Sequence, residues 1–118
     1  MKKIYYLKTC DSCLRILKLI PKDGFSLQEI KTKPITMEQI EEMKNLAGNY
    51  ESLFSRRAKK YTAMGLKNQA LEEVDYKQLI LSDYTFLKRP VIIINKDIYI
   101  GSDKKNINSL QQKLNLID

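Results

Sequence analysis

The first hydrophobic run, KIYYL at residues 3–7, is short and rich in β-branched and aromatic side chains, the composition of a buried strand. After Thr9 the period changes: Cys13, Ile16, Leu17 and Ile20 recur at i, i+3, i+4 and i+7, one face of a helix with Arg15 and Lys18 turned outward. Pro21 disfavours helical backbone at Ile20, and PKDG reads as a turn. FSLQEI at 25–30 alternates apolar and polar residues and predicts a second strand. A strand, helix and strand within 30 residues form a βαβ unit, which implies parallel strands and a right-handed crossover.

The middle of the chain reads as helical. Thr36 and Gln39 have capping-box spacing, and Ile35 with Ile40 fits the hydrophobic staple around it. Ile40, Met43 and Ala47 continue the helical face until Gly48-Asn49 stops it. A short helix is expected over YESLFS at 50–55. Another is expected in VDYKQLILSDY, with Tyr76, Leu79, Ile80 and Asp83 on one side. Strand patterning then returns: VIII at 91–94, a turn at 95–97 and IYI at 98–100 predict a β-hairpin. Asp103 or Ser102 can cap a last helix carrying Ile107, Leu110 and Leu114. The order is β-α-β, then helices, then β-β-α, without repeats or linkers, so residues 1–118 read as one domain.

Composition adds modest constraints. At 118 residues, 43% hydrophobic and 30% charged, the chain has an ordinary globular balance. It is long enough to bury about two-thirds of its unfolded surface. No apolar run approaches the ~20 residues of a membrane span, and the N-terminus lacks a signal-peptide core, so a cytoplasmic location with no membrane partner is expected. The net charge is +7, with 13 Lys/Arg against 7 Asp/Glu in residues 1–60 and 8 against 7 in the rest. The densest basic run, SRRAKK at 55–60, reads foremost as a solvated helix end. No aromatic-interleaved or groove-reading module accompanies the charge, so direct nucleic-acid binding is not expected.

The candidate chemistry lies in TCDSC, where Cys10 and Cys13 are the only cysteines. A structural zinc site needs four ligands, and a chain with no histidine and no third cysteine does not supply them, so no metal is expected. Cys13 sits on the apolar face of the first helix and partly suits plain packing. Cys10 falls at the strand-to-helix junction, where unpaired backbone N–H groups and the positive helix end favour a thiolate. Cys13, one turn on, is placed to resolve a mixed disulfide as an internal one. Asp11 opposes ionisation of Cys10 while Lys8 and Arg15 favour it, so sequence alone leaves the sign of the shift open.

Three landmarks in order, TCDSC after the first strand, YTAMGL at 61–66 and KRPVII at 88–93, resemble the arsenate reductase (ArsC)/Spx family. The resemblance runs over essentially the whole chain. It implies a thioredoxin-like α/β fold: a four-stranded mixed sheet, βαβ then ββα, with a helical insertion at about 36–87 between strands 2 and 3. It further implies that Pro90 is a cis-proline facing Cys10, with Arg89 beside it and Thr9 structural at the site. Arg56 and Arg57 stand near the position of another anion-binding arginine. Arsenate-reducing members carry one more arginine after the hairpin's second strand, where this chain has Gly101, as Spx-like members do.

The resemblance therefore implies a thiol oxidoreductase, arsenate reductase-like, with Cys10 as nucleophile and Cys13 or glutathione with glutaredoxin resolving the adduct. No cofactor is expected to be bound; glutathione is a co-substrate, and glutaredoxin or thioredoxin a partner. The alternative is an Spx-type redox regulator of transcription whose partner is RNA polymerase, bound through the C-terminal domain of its α subunit.

Overall fold

The computed structural model describes residues 1–117 and divides into two compact units. The first comprises Met1–Lys33 and the chain from Arg89 onward; the second is Pro34–Lys88.

The first unit is built on a four-stranded sheet of order β2-β1-β3-β4, from β1 (Lys2–Tyr6), β2 (Ser26–Glu29), β3 (Val91–Ile94) and β4 (Asp97–Ile100). β1 and β2 pair in parallel across the helix α1 (Asp11–Leu19), as the βαβ reading requires. β1 and β3 are antiparallel with Tyr5 opposite Val91, and β3 and β4 form the expected hairpin. The hairpin turn is tighter than expected. Asp97 already belongs to β4, leaving Asn95-Lys96 as the tip, with Asn95 at φ 56 in the left-handed region that asparagine tolerates. The helix α5 (Lys104–Lys113) is capped by Asp103, whose carboxylate accepts the Asn106 amide at 2.8 Å.

The two periodicities meet in one core. Ile4, Ile92 and Ile94 project from one sheet face against Ile16, Leu17 and Ile20 after the helical phase of α1, with Leu110 from α5 completing the cluster. Tyr6, Phe25, Tyr99, Ile107 and Leu114 pack at its margin.

β2 departs from its simple alternation. Leu27 is 41% exposed, whereas Gln28 is only 3% exposed. β2 is an edge strand, so position 27 lacks a neighbour on one side. The buried Gln28 amide is satisfied because Nε2 donates to the Lys33 carbonyl at 3.0 Å.

In the second unit, α2 (Met37–Ala47) begins with the complete capping box. Gln39 N–H donates to Thr36 Oγ1 at 3.1 Å, and Thr36 N–H donates to Gln39 Oε1 at 3.0 Å. The helix ends at Gly48 in the left-handed region, φ 97. The segment 50–55 holds only a 3-10 turn, Glu51–Leu53, because Phe54 and Ser55 leave the helix to bridge the chain near Leu87: Ser55 N–H donates to the Phe86 carbonyl at 2.7 Å. After the short α3 (Lys59–Ala63), α4 (Glu73–Ser82) buries Tyr76 and Ile80. Phe54 lies at the centre of an aromatic group, 5.0 Å from Tyr76 and 5.3 Å from Phe86 between ring centroids. Among the described residues, no helix is long and apolar enough to cross a membrane.

Candidate active site

The topology gathers chemistry at one end of the sheet. β1 and β4 finish there and β3 starts there, so the turn after β1, the approach to β3 and the exit from β4 are neighbours. Cys10 follows the first, Arg89-Pro90 forms the second, and Gly101 is the third.

Cys10 is the N-cap residue of α1, with extended backbone (φ -98, ψ 108). Its amide closes the preceding turn by donating to the Leu7 carbonyl at 3.1 Å, and its carbonyl accepts the Leu14 amide at 3.1 Å. It is partly exposed, while Cys13 is fully buried, and the two are not joined by a disulfide in this structure. Thr9 lies exposed in the turn before Cys10.

Burial is the foremost influence on the Cys10 thiol and raises its pKa. It is outweighed by the Cys13 backbone N–H, the Cys13 thiol and the Arg89 guanidinium, so the thiol ends below its ordinary range. The Cys10 side chain closes no formal N-cap hydrogen bond, so the Cys13 amide acts as a nearby dipole at the helix start more than as a well-aligned donor. The exposed Asp11 does not reverse this direction. Cys13 behaves oppositely: burial first, then the neighbouring Cys10, push its thiol up to about 12. One sulfur is ready to ionise and the other holds its proton.

The peptide bond between Arg89 and Pro90 is cis, as the resemblance implies, and Pro90 is buried. The Pro90 carbonyl accepts the Gly101 amide at 2.9 Å, and the Gly101 carbonyl accepts Asn106 Nδ2 at 2.9 Å. Gly101 is buried with φ +86, a conformation that strains any side-chain-bearing residue.

Cys10, Cys13, Arg89 and Pro90 thus assemble within the first unit. Arg56 and Arg57 belong to the second. Arg56 Nη2 donates to Glu51 Oε2 at 2.8 Å and to the Tyr76 hydroxyl at 3.1 Å, and the guanidinium stacks near Phe54 and Tyr76. The Arg57 side chain is exposed, and its backbone N–H donates to Ser55 Oγ at 3.3 Å.

Charge divides along the same line. Residues 34–88 hold 8 Lys/Arg against 8 Asp/Glu, so the whole net charge of +7 falls in the unit that carries Cys10. Three ion pairs, Arg56–Glu51, Lys60–Asp83 and Lys77–Glu41, tie up cations of the neutral unit. The sequence halves only blur this asymmetry.

The family model of the ArsC family matches residues 5–110. The chain belongs to the ArsC family. Solved structures agree on the fold. An arsenate reductase from Vibrio cholerae superposes with a TM-score of 0.71 at 16% identity, covering 98% of this chain and 97% of that one. A Staphylococcus aureus COL protein gives 0.74 at 24% identity over 92% and 97%. An arsenate reductase (ArsC) related protein from Brucella melitensis gives 0.65 at 16% identity over 92% of each chain. No curated protein matches the chain. The four-stranded mixed sheet with its helices is the thioredoxin-like arrangement of this family.

Glu29 escaped the sequence reading, where it counted only as a polar position in an alternating strand. Its carboxylate accepts four hydrogen bonds at the same end of the sheet as Cys10. Nothing in the local sequence marks it, because its key donor lies 21 residues away.

Proposed function

We propose that this ArsC-family protein is a thiol oxidoreductase in which Cys10 is the nucleophile and Cys13 the resolving thiol, acting on anionic disulfides such as those formed with glutathione. The observation that carries the reading is the split between the two sulfurs: Cys10 is partly exposed and favoured as thiolate, while Cys13 is buried and protonated.

The Cys10 thiolate attacks one sulfur of the substrate disulfide, forming a mixed disulfide and releasing the other sulfur as a thiolate. Cys10 then no longer carries charge, so its share in raising Cys13 disappears while burial persists. Cys13 loses its proton to solvent or to the departing thiolate and attacks Cys10 Sγ. The substrate's second thiol leaves, and the Cys10–Cys13 disulfide remains. An external thiol, glutathione or a dithiol protein such as glutaredoxin or thioredoxin, reduces that disulfide and closes the cycle. Arg89 favours the Cys10 thiolate and offers donors to an incoming anion. The uncompensated charge of the Cys10-bearing unit favours encounter with acidic substrates.

Arsenate is the less favoured electrophile, because the additional arginine of arsenate-reducing relatives is replaced by Gly101, whose φ of +86 disfavours an arginine there. The same glycine favours one second reading, an Spx-type regulator that uses the cysteine pair as a redox switch when binding the α subunit of RNA polymerase. Incubating the reduced protein with a glutathionylated peptide and mapping both cysteines by mass spectrometry tests the proposal. A transient Cys10 adduct followed by a Cys10–Cys13 disulfide is expected, and Cys13→Ser should trap the adduct. Absence of any Cys10 adduct overturns it. Redox-dependent retention of RNA polymerase α, lost in Cys10→Ala, would select the regulator.

A further inference from the structure

Glu29 ends β2 opposite Tyr6, and its carboxylate is shared by donors from two parts of the chain. Oε1 accepts the amides of Lys31 at 3.1 Å and Thr32 at 2.9 Å and the Thr32 hydroxyl at 3.1 Å. Oε2 turns the other way and accepts the Lys8 backbone N–H at 3.0 Å. The β1–β2 pairing ends at Tyr6 and Glu29, with Ile30 N–H donating to the Tyr6 carbonyl at 3.0 Å as the last bond between them. Lys8 therefore has no strand partner, and the Glu29 side chain takes the place of one.

The Lys8 amide lies inside the four-residue turn Leu7–Cys10, closed by the Cys10 amide donating to the Leu7 carbonyl. That turn sets the Cys10 sulfur at the N-cap of α1, where the Cys13 amide and Arg89 act on it. We infer that Glu29 is a positioning residue for Cys10: by holding the Lys8 amide it fixes the turn that presents the sulfur to its stabilising donors. The inference rests on Cys10 being the nucleophile. Glu29 works through the backbone, because its carboxylate holds the Lys8 amide of the turn.

The test is pH-resolved alkylation of Cys10 together with hydrogen exchange at the Lys8 amide, in the full chain. Glu29→Ala should speed Lys8 exchange about tenfold, the loss of one charge-assisted hydrogen bond. It should also move the Cys10 alkylation midpoint to higher pH. Glu29→Gln keeps an acceptor and should restore most of the midpoint. Glu29→Asp retains the charge but is one methylene short of Lys8, and should reproduce the Glu29→Ala shift even if the alanine variant fails to fold. Thr32→Val removes a bond to the same carboxylate without touching Lys8 and should leave Cys10 unchanged. An unchanged midpoint in Glu29→Ala and Glu29→Asp overturns the inference, and so does an equal shift in Thr32→Val, which would signal general loosening. Alkylation reads Cys10 whether or not the protein turns over a disulfide. Failure of the proposed function would appear separately, as absent exchange in the wild type.

Discussion

The sharpest quantitative consequence of the site concerns Cys13. Its thiol is pushed up to about 12 from an ordinary 9.0. Three pH units mean that, below about pH 9, its thiolate is about a thousandfold scarcer than that of a free cysteine. Alkylation with iodoacetamide between pH 6 and 10, read separately at each cysteine by mass spectrometry, measures this directly. At pH 7 Cys10 should alkylate readily, with a midpoint below that of a free thiol, while Cys13 stays unmodified. Cys10→Ser removes the neighbouring thiolate that helps to raise Cys13 but leaves burial, the larger cause. Cys13 should therefore become more reactive in that variant yet remain slower than in denatured protein. Stability carries the same signature. The folded state holds the Cys13 proton more tightly than the unfolded chain, so this contribution is intact below pH 9 and is lost as pH rises toward 12. The loss is bounded at about 4 kcal/mol, and Cys13→Val should flatten that part of the alkaline stability curve. Cys13 alkylating at the denatured rate in folded wild-type protein would refute the assignment of buried and exposed sulfurs.

Asp83 gives the acid counterpart. Lys60, then Thr85, holds its carboxyl down at about 2 from an ordinary 3.8. That contributes about 2 kcal/mol at neutral pH, lost as pH falls through the range between those values. Lys60 has a side chain 61% exposed, against 15% for Asp83. Solvent therefore limits the pair to about 1 kcal/mol, and Asp83→Asn should cost more stability in urea than Lys60→Met, with its cost vanishing near pH 2. At Gly101, Gly101→Arg should cost about 1–2 kcal/mol because of the positive φ. A variant as stable as wild type would show that the exit of β4 is more adaptable than its hydrogen bonds imply. Finally, exchange with an acidic disulfide peptide should slow as salt rises from about 10 to about 300 mM, while a basic peptide is slower at low salt and converges on it; parallel salt profiles would remove charge from substrate choice.

What was legible in the sequence follows from which forces are local. The α1 face of Cys13, Ile16, Leu17 and Ile20 and the Thr36–Gln39 box are set by spacing within a turn or two, and both form as expected. The parallel β1–β2 pair follows from the length of its crossover. Failures arise where tertiary context decides. Leu27 is exposed because β2 is an edge strand, Gln28 is buried with its amide bonded to the Lys33 carbonyl, and segment 50–55 gives up its helix to a bridge with Leu87. The site divides in the same way. Cys10 at a helix start points to a favoured thiolate, but Asp11 leaves the sign open in the sequence; in the fold the Cys13 backbone N–H and thiol, and then Arg89 brought close by the sheet pairing, outweigh burial. Glu29 was invisible because its bond to Lys8 exists only after two strands pair. The sequence motif thus names the candidate nucleophile, and long-range pairing supplies the groups that surround it. On the proposed role of Glu29, two chains sharing TCDSC would differ in Cys10 reactivity through the residue that ends β2, with no change in the motif itself.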